Sequence, residues 1–193
     1  MMPGVDERLA PRLEGRIVVV EPLGPEHVEG LRTAAADERI WTWMVTLDAE
    51  EWIDDTLRTT DRVPFAVLHE GEVVGSTSYM SIFPEHLRLE IGSTWMNPAT
   101  WGTGANVEAK YLLMRHAFET LRYRRVEFKT DALNDRARGA LAALPAEFEG
   151  IHRKHMLVRD GERRDSAWYA VIDDDWPEVK AALEQRLESK GRS

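Results

Sequence analysis

The chain has 193 residues, a formal charge of -9, 43% apolar and 31% charged residues, and no cysteine. That length suits one domain with a genuine core, and the acidic balance argues against a nucleic-acid backbone, whose phosphates need a basic face. Without cysteine there is no disulfide framework, thiolate nucleophile or Cys-ligated metal.

No stretch approaches the roughly 20 apolar residues of a membrane span. The opening "MMPGVDERLAPRLEG" lacks the basic-then-apolar pattern of a signal peptide, so no membrane partner and a cytoplasmic location are expected. Residues 1–15 are expected to be a loose lead-in and 16–190 a single domain.

"RIVVVEPL" (16–23) reads as a short buried strand closed by Pro22 and Gly24. "PEHVEGLRTAAAD" (25–37) starts on a proline suited to a first helical turn and keeps Val28, Leu31 and Ala35 at helical spacing. "ERIWTWMVTL" (38–47) has no clear period. "DAEEWIDDTLRTT" (48–60) predicts a second helix, with Asp48 as N-cap and Glu51 three residues on. "VPFAVLH" and "EVVGSTSYMSIF" predict a hairpin turning at Glu70-Gly71. "HLRLEIGSTWM" (86–96) alternates Leu87, Leu89 and Ile91 against Arg88, Glu90 and Gly92, as a half-buried strand does.

An amphipathic helix then carries Val107, Tyr111, Met114, Phe118 and Leu121 on one face. "RRVEFKT" (124–130) is a strand and "NDRARGALAAL" (134–144) a short helix ended by Pro145. A hairpin around Asp160-Gly161 and a terminal helix through Val179, Leu183 and Leu187 complete the chain. Helices, a meander, one crossover with parallel flanking strands and a closing hairpin describe a mixed α/β or α+β domain.

Two glycines, Gly102 and Gly104, stand in "NPATWGTGANVEAK" between the 86–96 strand and the amphipathic helix. A glycine loop feeding a helix N-terminus can take an anion, because the first amides lack acceptors and the dipole adds about half a positive charge. A tight turn packing helix on strand accounts for the same residues. The P-loop pattern is absent, and the dinucleotide fingerprint fails where Val107 takes the third glycine's place.

Trp101-Gly102-Thr103-Gly104-Ala105-Asn106 followed by Glu108-Ala109 resembles the W-G-x-G loop of the Gcn5-related N-acetyltransferases (GNAT), in their ribosomal-protein (RimJ/RimL-like) branch. "LEIGSTWMNP" is similar to that branch's pre-loop strand, "KTDALNDRA" to its element after the next strand, and "EGIHRKHM" with "RDSAWYAV" to its closing hairpin. The resemblance spans about 16–179. Trp101 stands where the general pattern has Arg or Gln, and Asn106 where it has Gly or Ala. Leu141 replaces the tyrosine many members use as general acid, and Pro145-Ala146 replaces the usual Gly-Phe or Gly-Ala.

The resemblance implies a mixed, mostly antiparallel central sheet of about six to seven strands, with a splayed parallel pair and helices on both faces. It implies direct acetyl transfer from acetyl-CoA to an amine, with a protein N-terminal amine favoured. A small-molecule amine acetyltransferase and a non-catalytic acyl-CoA-binding regulatory module stay open, as does the more distant reading of a dehydrogenase. The state is a monomer or homodimer.

The cofactor contacts it implies are Thr94, Trp95 and Met96 on the exposed strand edge, the loop from Trp101 to Asn106, and Asn134, which by position is also a helix N-cap. Glu90 is the candidate base, and Ser93 and Tyr79 are polar strand neighbours able to supply a proton. Trp41, Trp43 and Met44 would wall the acceptor site, with loop packing the plainer alternative. Arg136 and Arg138 are candidates for the 3′-phosphate. His152 and His155, three apart on a strand, would face opposite sides, so no metal is expected.

Overall fold

The structure is a computed structural model that describes residues 7–158 and 161–190. Its eight strands form one sheet in the order β1-β2-β3-β4-β5-β6-β8-β7. They are β1 (Leu13–Glu14), β2 (Val19–Pro22), β3 (Arg62–His69), β4 (Glu72–Phe83), β5 (Arg88–Met96), β6 (Arg125–Asp131), β7 (Glu147–Val158) and β8 (Glu162–Ile172). Every neighbouring pair is antiparallel except β5 and β6. The strand beyond the expected six or seven is β1, a two-residue piece inside the stretch expected to be a lead-in, where a turn at Glu7–Leu9 also lies. Asp160, expected in the last hairpin turn, lies outside the described residues.

Among the described residues five α-helices flank the sheet: α1 (Val28–Ala34), α2 (Ala49–Arg58), α3 (Ala105–Arg115), α4 (Asp135–Ala142) and α5 (Trp176–Lys190). The Asp48 side chain accepts from the Glu51 amide at 2.8 Å, which starts α2 where the sequence places it. A π-turn at His116–Thr120 prolongs α3. The larger core joins α3 and α5 to Phe65, Tyr79, Leu89, Ile91, Val126 and Phe128 of the central strands. On the other face, α1, α2 and the 3-10 turn Glu38–Trp43 bury a smaller core around Leu31, Trp41, Trp52, Ile53 and Trp95.

One irregularity in β5 decides where the site forms. Ser76 pairs with Trp95 and Ser78 with Gly92, so Thr77 of β4 faces two residues, Ser93 and Thr94. Ser93 takes a left-handed φ of 49°. Such a bulge kinks the strand and shifts its side-chain alternation by one residue. Before it, Leu89 and Ile91 enter the larger core; after it, Trp95 enters the smaller core and Met96 the larger. β5 pairs with β6 only from Arg88 to Glu90. Beyond that point the two strands diverge, and the edge of β5 is left unpaired.

Candidate active site

The divergence opens a cleft of about 760 Å³, within the range of small-molecule sites. β5 supplies Glu90 to Met96 on one wall, and β6 supplies Phe128, Lys129 and Thr130 on the other. The Asn97 amide bonds Val74 of β4 at 2.7 Å, whereas the Met96 carbonyl accepts from Trp101 Nε1 at 3.0 Å on the opposite side. A strand residue points its N–H and C=O to the same side, so the Met96 amide faces the gap.

The glycine loop closes one end. Gly102 and Gly104 have φ of 82° and 105°, values that favour glycine, and nothing lies within 4 Å of a Cβ built on Gly102. Backbone conformation, rather than crowding, therefore requires glycine at 102. Gly104 caps α3, and the first-turn amides of Asn106 and Val107 have no carbonyl a turn back. The Thr103 hydroxyl ties the loop to the Thr100 carbonyl at 2.8 Å, and Ala105, the first residue of α3, is fully buried.

Distant segments add charge that the loop's own sequence lacks. The Arg136 guanidinium of α4 lies 3.6 Å from the centre of the Trp101 ring, and Arg39 approaches the same ring at 5.5 Å. Desolvation over the ring, then the Arg39 charge, lowers the Arg136 pKa from the usual arginine value. Arg138 turns away from the cleft, bonding the Ala132 carbonyl and the Tyr169 hydroxyl. Lys110 also lines the cleft; its Nζ donates to Asn106 Oδ1, and desolvation lowers its pKa to about 8.

Glu108, a turn into α3, stays out of the cleft. Its carboxylate accepts the amides of Arg16, Ile17 and Val18 at 2.9, 2.6 and 2.7 Å. It pins the helix, and with it the glycine loop, to the sheet edge.

At the other end Glu90 is fully buried rather than solvent-facing. Its Oε2 accepts from Lys129 Nζ at 2.8 Å and from the Ser81 hydroxyl at 3.2 Å, while Oε1 has no partner among the described residues. A Cβ on Gly92 would meet that Oε1 at 2.7 Å, so the glycine makes room for the carboxylate. Ser93 Oγ lies 3.4 Å from Trp52 Nε1, and Thr94 Oγ1 bonds Thr77 Oγ1 at 2.8 Å. Asn134 lines the cleft and also caps α4, its Oδ1 accepting the Ala137 amide at 3.0 Å.

Two expected residues lie elsewhere. Tyr79 points into the larger core, its hydroxyl donating to the Leu113 carbonyl at 2.6 Å, and burial pushes its pKa well above the ordinary phenol value. It sits on the wrong face of β4 to reach the cleft. Trp41 is buried behind the wall, bonding the Ala35 carbonyl and packing against Trp52 and Trp95. Trp43 and Met44 do line the cleft, joined by Trp52 of α2, which sequence reasoning missed. The Trp95 indole belongs to the same aromatic cluster.

His152 and His155 do not face opposite sides. The register of β7 shifts between His152 and Met156, Lys154 takes a φ of 52°, and the two rings lie 5.6 Å apart against Trp168. Among the described residues no group of three or more His, Cys, Asp or Glu side chains could hold a metal ion. No helix among them is long and apolar enough to cross a membrane.

Comparison with known proteins adds the following. The family model of the acetyltransferase (GNAT) domain matches residues 17–146. A GCN5-related N-acetyltransferase from Brucella melitensis is 35% identical, with a TM-score of 0.86 over 92% of this chain and 86% of that one. A structure from T. thermophilus assigned to the acetyltransferases is 41% identical, with a TM-score of 0.84 over 91% of this chain and 96% of that one. Mycobacterium smegmatis RimJ, solved with CoA-disulfide, shares the fold at 21% identity and a TM-score of 0.74, with 91% of each chain covered. No curated protein matches the chain.

Proposed function

The chain belongs to the GNAT acetyltransferase family, and from that premise we propose that it transfers an acetyl group from acetyl-CoA to an amine by direct attack. One observation carries this reading: the unpaired edge of β5 runs from the α3 N-terminus to a buried carboxylate whose Oε1 has no partner among the described residues. The α3 amides, Arg136 and Lys110 suit the anionic end of the cosubstrate, and the Met96 amide, which faces the gap beside the loop, suits a carbonyl of the pantetheine arm. Asn134 and the backbone from Thr94 to Met96 flank the arm between them.

In the reaction the acceptor nitrogen forms the new C–N bond as the C–S bond breaks, and the displaced electron pair leaves on sulfur. Glu90 Oε1 takes the proton that the amine must lose, while Lys129 and Ser81 hold Oε2 and fix the carboxylate's orientation. Ser93 lies between Glu90 and the Trp52 side of the wall, a second polar contact for the acceptor. Leu141 gives the leaving sulfur no acid at its position. An alkyl thiol is acidic enough to leave as thiolate without one, so the absence is compatible with turnover.

A protein N-terminal amine is the favoured acceptor. With a pKa of about 7.7–8.0 it is roughly a tenth neutral at pH 7, so one carboxylate suffices to complete its deprotonation, whereas a lysine near 10.4 asks more of the base. Trp43, Met44 and Trp52 offer an apolar wall for the residue that carries the amine.

The test is release of CoA thiol from acetyl-CoA across peptide amines and small amines, for the protein and for Glu90→Gln. A fall in kcat of about 100-fold or more in the variant, with acetyl-CoA binding unchanged, is expected. Equal rates remove Glu90 as base. Acetyl-CoA binding without turnover on any amine would favour a binding module.

A further inference from the structure

We propose that the cleft selects acceptors carrying an anionic group beside the reactive amine, with Arg62 as the residue that binds it. The proposal rests on the reading of Glu90 as the acceptor-side base. Arg62 of β3 pairs with Met80 of β4, and Met80 with Glu90 of β5, so the three stand in one row across adjacent strands. All three line the cleft. Two strand spacings separate the ends of the row, about 9–10 Å between Cα atoms. A guanidinium and a carboxylate thus flank a thioether on the same face.

Arg62 is poorly satisfied for so buried a cation. Its side chain is 13% exposed, and among the described residues only Nη2 is bonded, to Asp55 Oδ2 at 2.8 Å and to Thr56 Oγ1 at 3.0 Å. Nε is buried without an acceptor among the described residues. Asp55 is 66% exposed, and an ion pair to so solvated a partner contributes little. Lys129, by contrast, is committed to Glu90. A cation held on the wall of a binding cleft with unmet donors recognises a carboxylate by charge-assisted N–H contacts. An amine directed at Glu90 Oε1 then has its anionic substituent directed at Arg62, with Met80 packing against the carbons between.

Two sources supply this chemistry: a peptide N-terminus followed by an acidic residue, and a free ω-amino acid. The experiment compares matched pairs, Ala-Asp-amide with Ala-Asn-amide, and 4-aminobutyrate with 4-aminobutanol, in the protein and in Arg62→Met and Arg62→Lys. The quantity read is the ratio of kcat/KM within each pair, so that a general loss of activity in a variant cancels. The expected result is a ratio of at least tenfold in favour of the anion in one pair or both, collapsing toward unity in Arg62→Met and partly retained in Arg62→Lys. The pair that shows it identifies the source. A ratio near unity in the unaltered protein, or one preserved in Arg62→Met, overturns the proposal. If no amine is acetylated, the reading of Glu90 fails; calorimetric binding of the same pairs to the acetyl-CoA complex then decides the Arg62 proposal by the same ratio.

Discussion

Glu108→Met is expected to be among the most damaging single substitutions in this protein. The carboxylate is 2% exposed and receives three backbone amides, with Oε1 serving Arg16 and Oε2 serving Ile17 and Val18. Methionine keeps the length of the side chain and removes both acceptors. The Arg16 amide lies at an exposed residue and can turn to water, but Val18 is buried. One or two buried amides left unsatisfied cost about 1–3 kcal/mol each, and loss of a negative charge in the first turn of α3 adds about 0.3–1 kcal/mol. The sum is about 3–4 kcal/mol. For a chain of this length each kcal/mol moves Tm by about 2–4 °C, which gives a fall of roughly 10 °C. Differential scanning calorimetry at neutral pH measures it directly, and amide exchange at Ile17 and Val18 should accelerate. A loss below about 2 °C, with those amides still protected, would refute the argument that this carboxylate anchors α3.

Arg136→Ala should weaken acetyl-CoA binding by about tenfold, through lost charge-assisted contacts and the lost stack on Trp101, as read by calorimetry. Lys110, with its pKa lowered to about 8 by desolvation, should make acetyl-CoA affinity fall as pH rises through 8, and Lys110→Met should flatten that profile. The sign for stability is opposite. The folded chain holds this proton less tightly than the unfolded chain, so the contribution present above pH 10.5 is lost as pH falls through 8. Lys110→Met should therefore raise Tm at pH 7. Gly104→Ala, forced to a φ of 105°, should cost about 1–2 kcal/mol by denaturant titration and also weaken acetyl-CoA binding.

Local signals carried most of the fold. Asp48 and Glu51 announced α2, Glu70-Gly71 the β3–β4 turn, and the alternation of Leu89 and Ile91 the inner face of β5. Such features depend on neighbours a few residues apart, which a sequence displays. The bulge at Ser93-Thr94 leaves no periodic mark, because an inserted residue looks like any other until its partner strand is known. Parity across the sheet was the second hidden quantity. Tyr79 was the right residue type on the wrong face of its strand, and His152 and His155 shared a side only because of the bulge between them; Trp41, in the 3-10 turn before α2, turned into the core behind the wall.

The long-range pairs were invisible for a simpler reason. Lys129 meets Glu90 across 39 positions, Arg136 reaches Trp101 from α4, and Glu108 clasps amides 90 to 92 residues upstream. A lone charge in a strand or helix reads as solvated until its partner is located. Of these, Lys129 offered a faint signal, since it follows Phe128 in the strand expected to lie parallel to β5.

The most direct test of the account is a crystal structure with acetyl-CoA bound. The pantetheine arm should run along the unpaired edge of β5 from Thr94 to Met96, with the pyrophosphate on the amides at the start of α3 and the acetyl group facing Glu90. Acetyl-CoA bound outside the gap between β5 and β6, or with its acetyl group remote from Glu90, would contradict it.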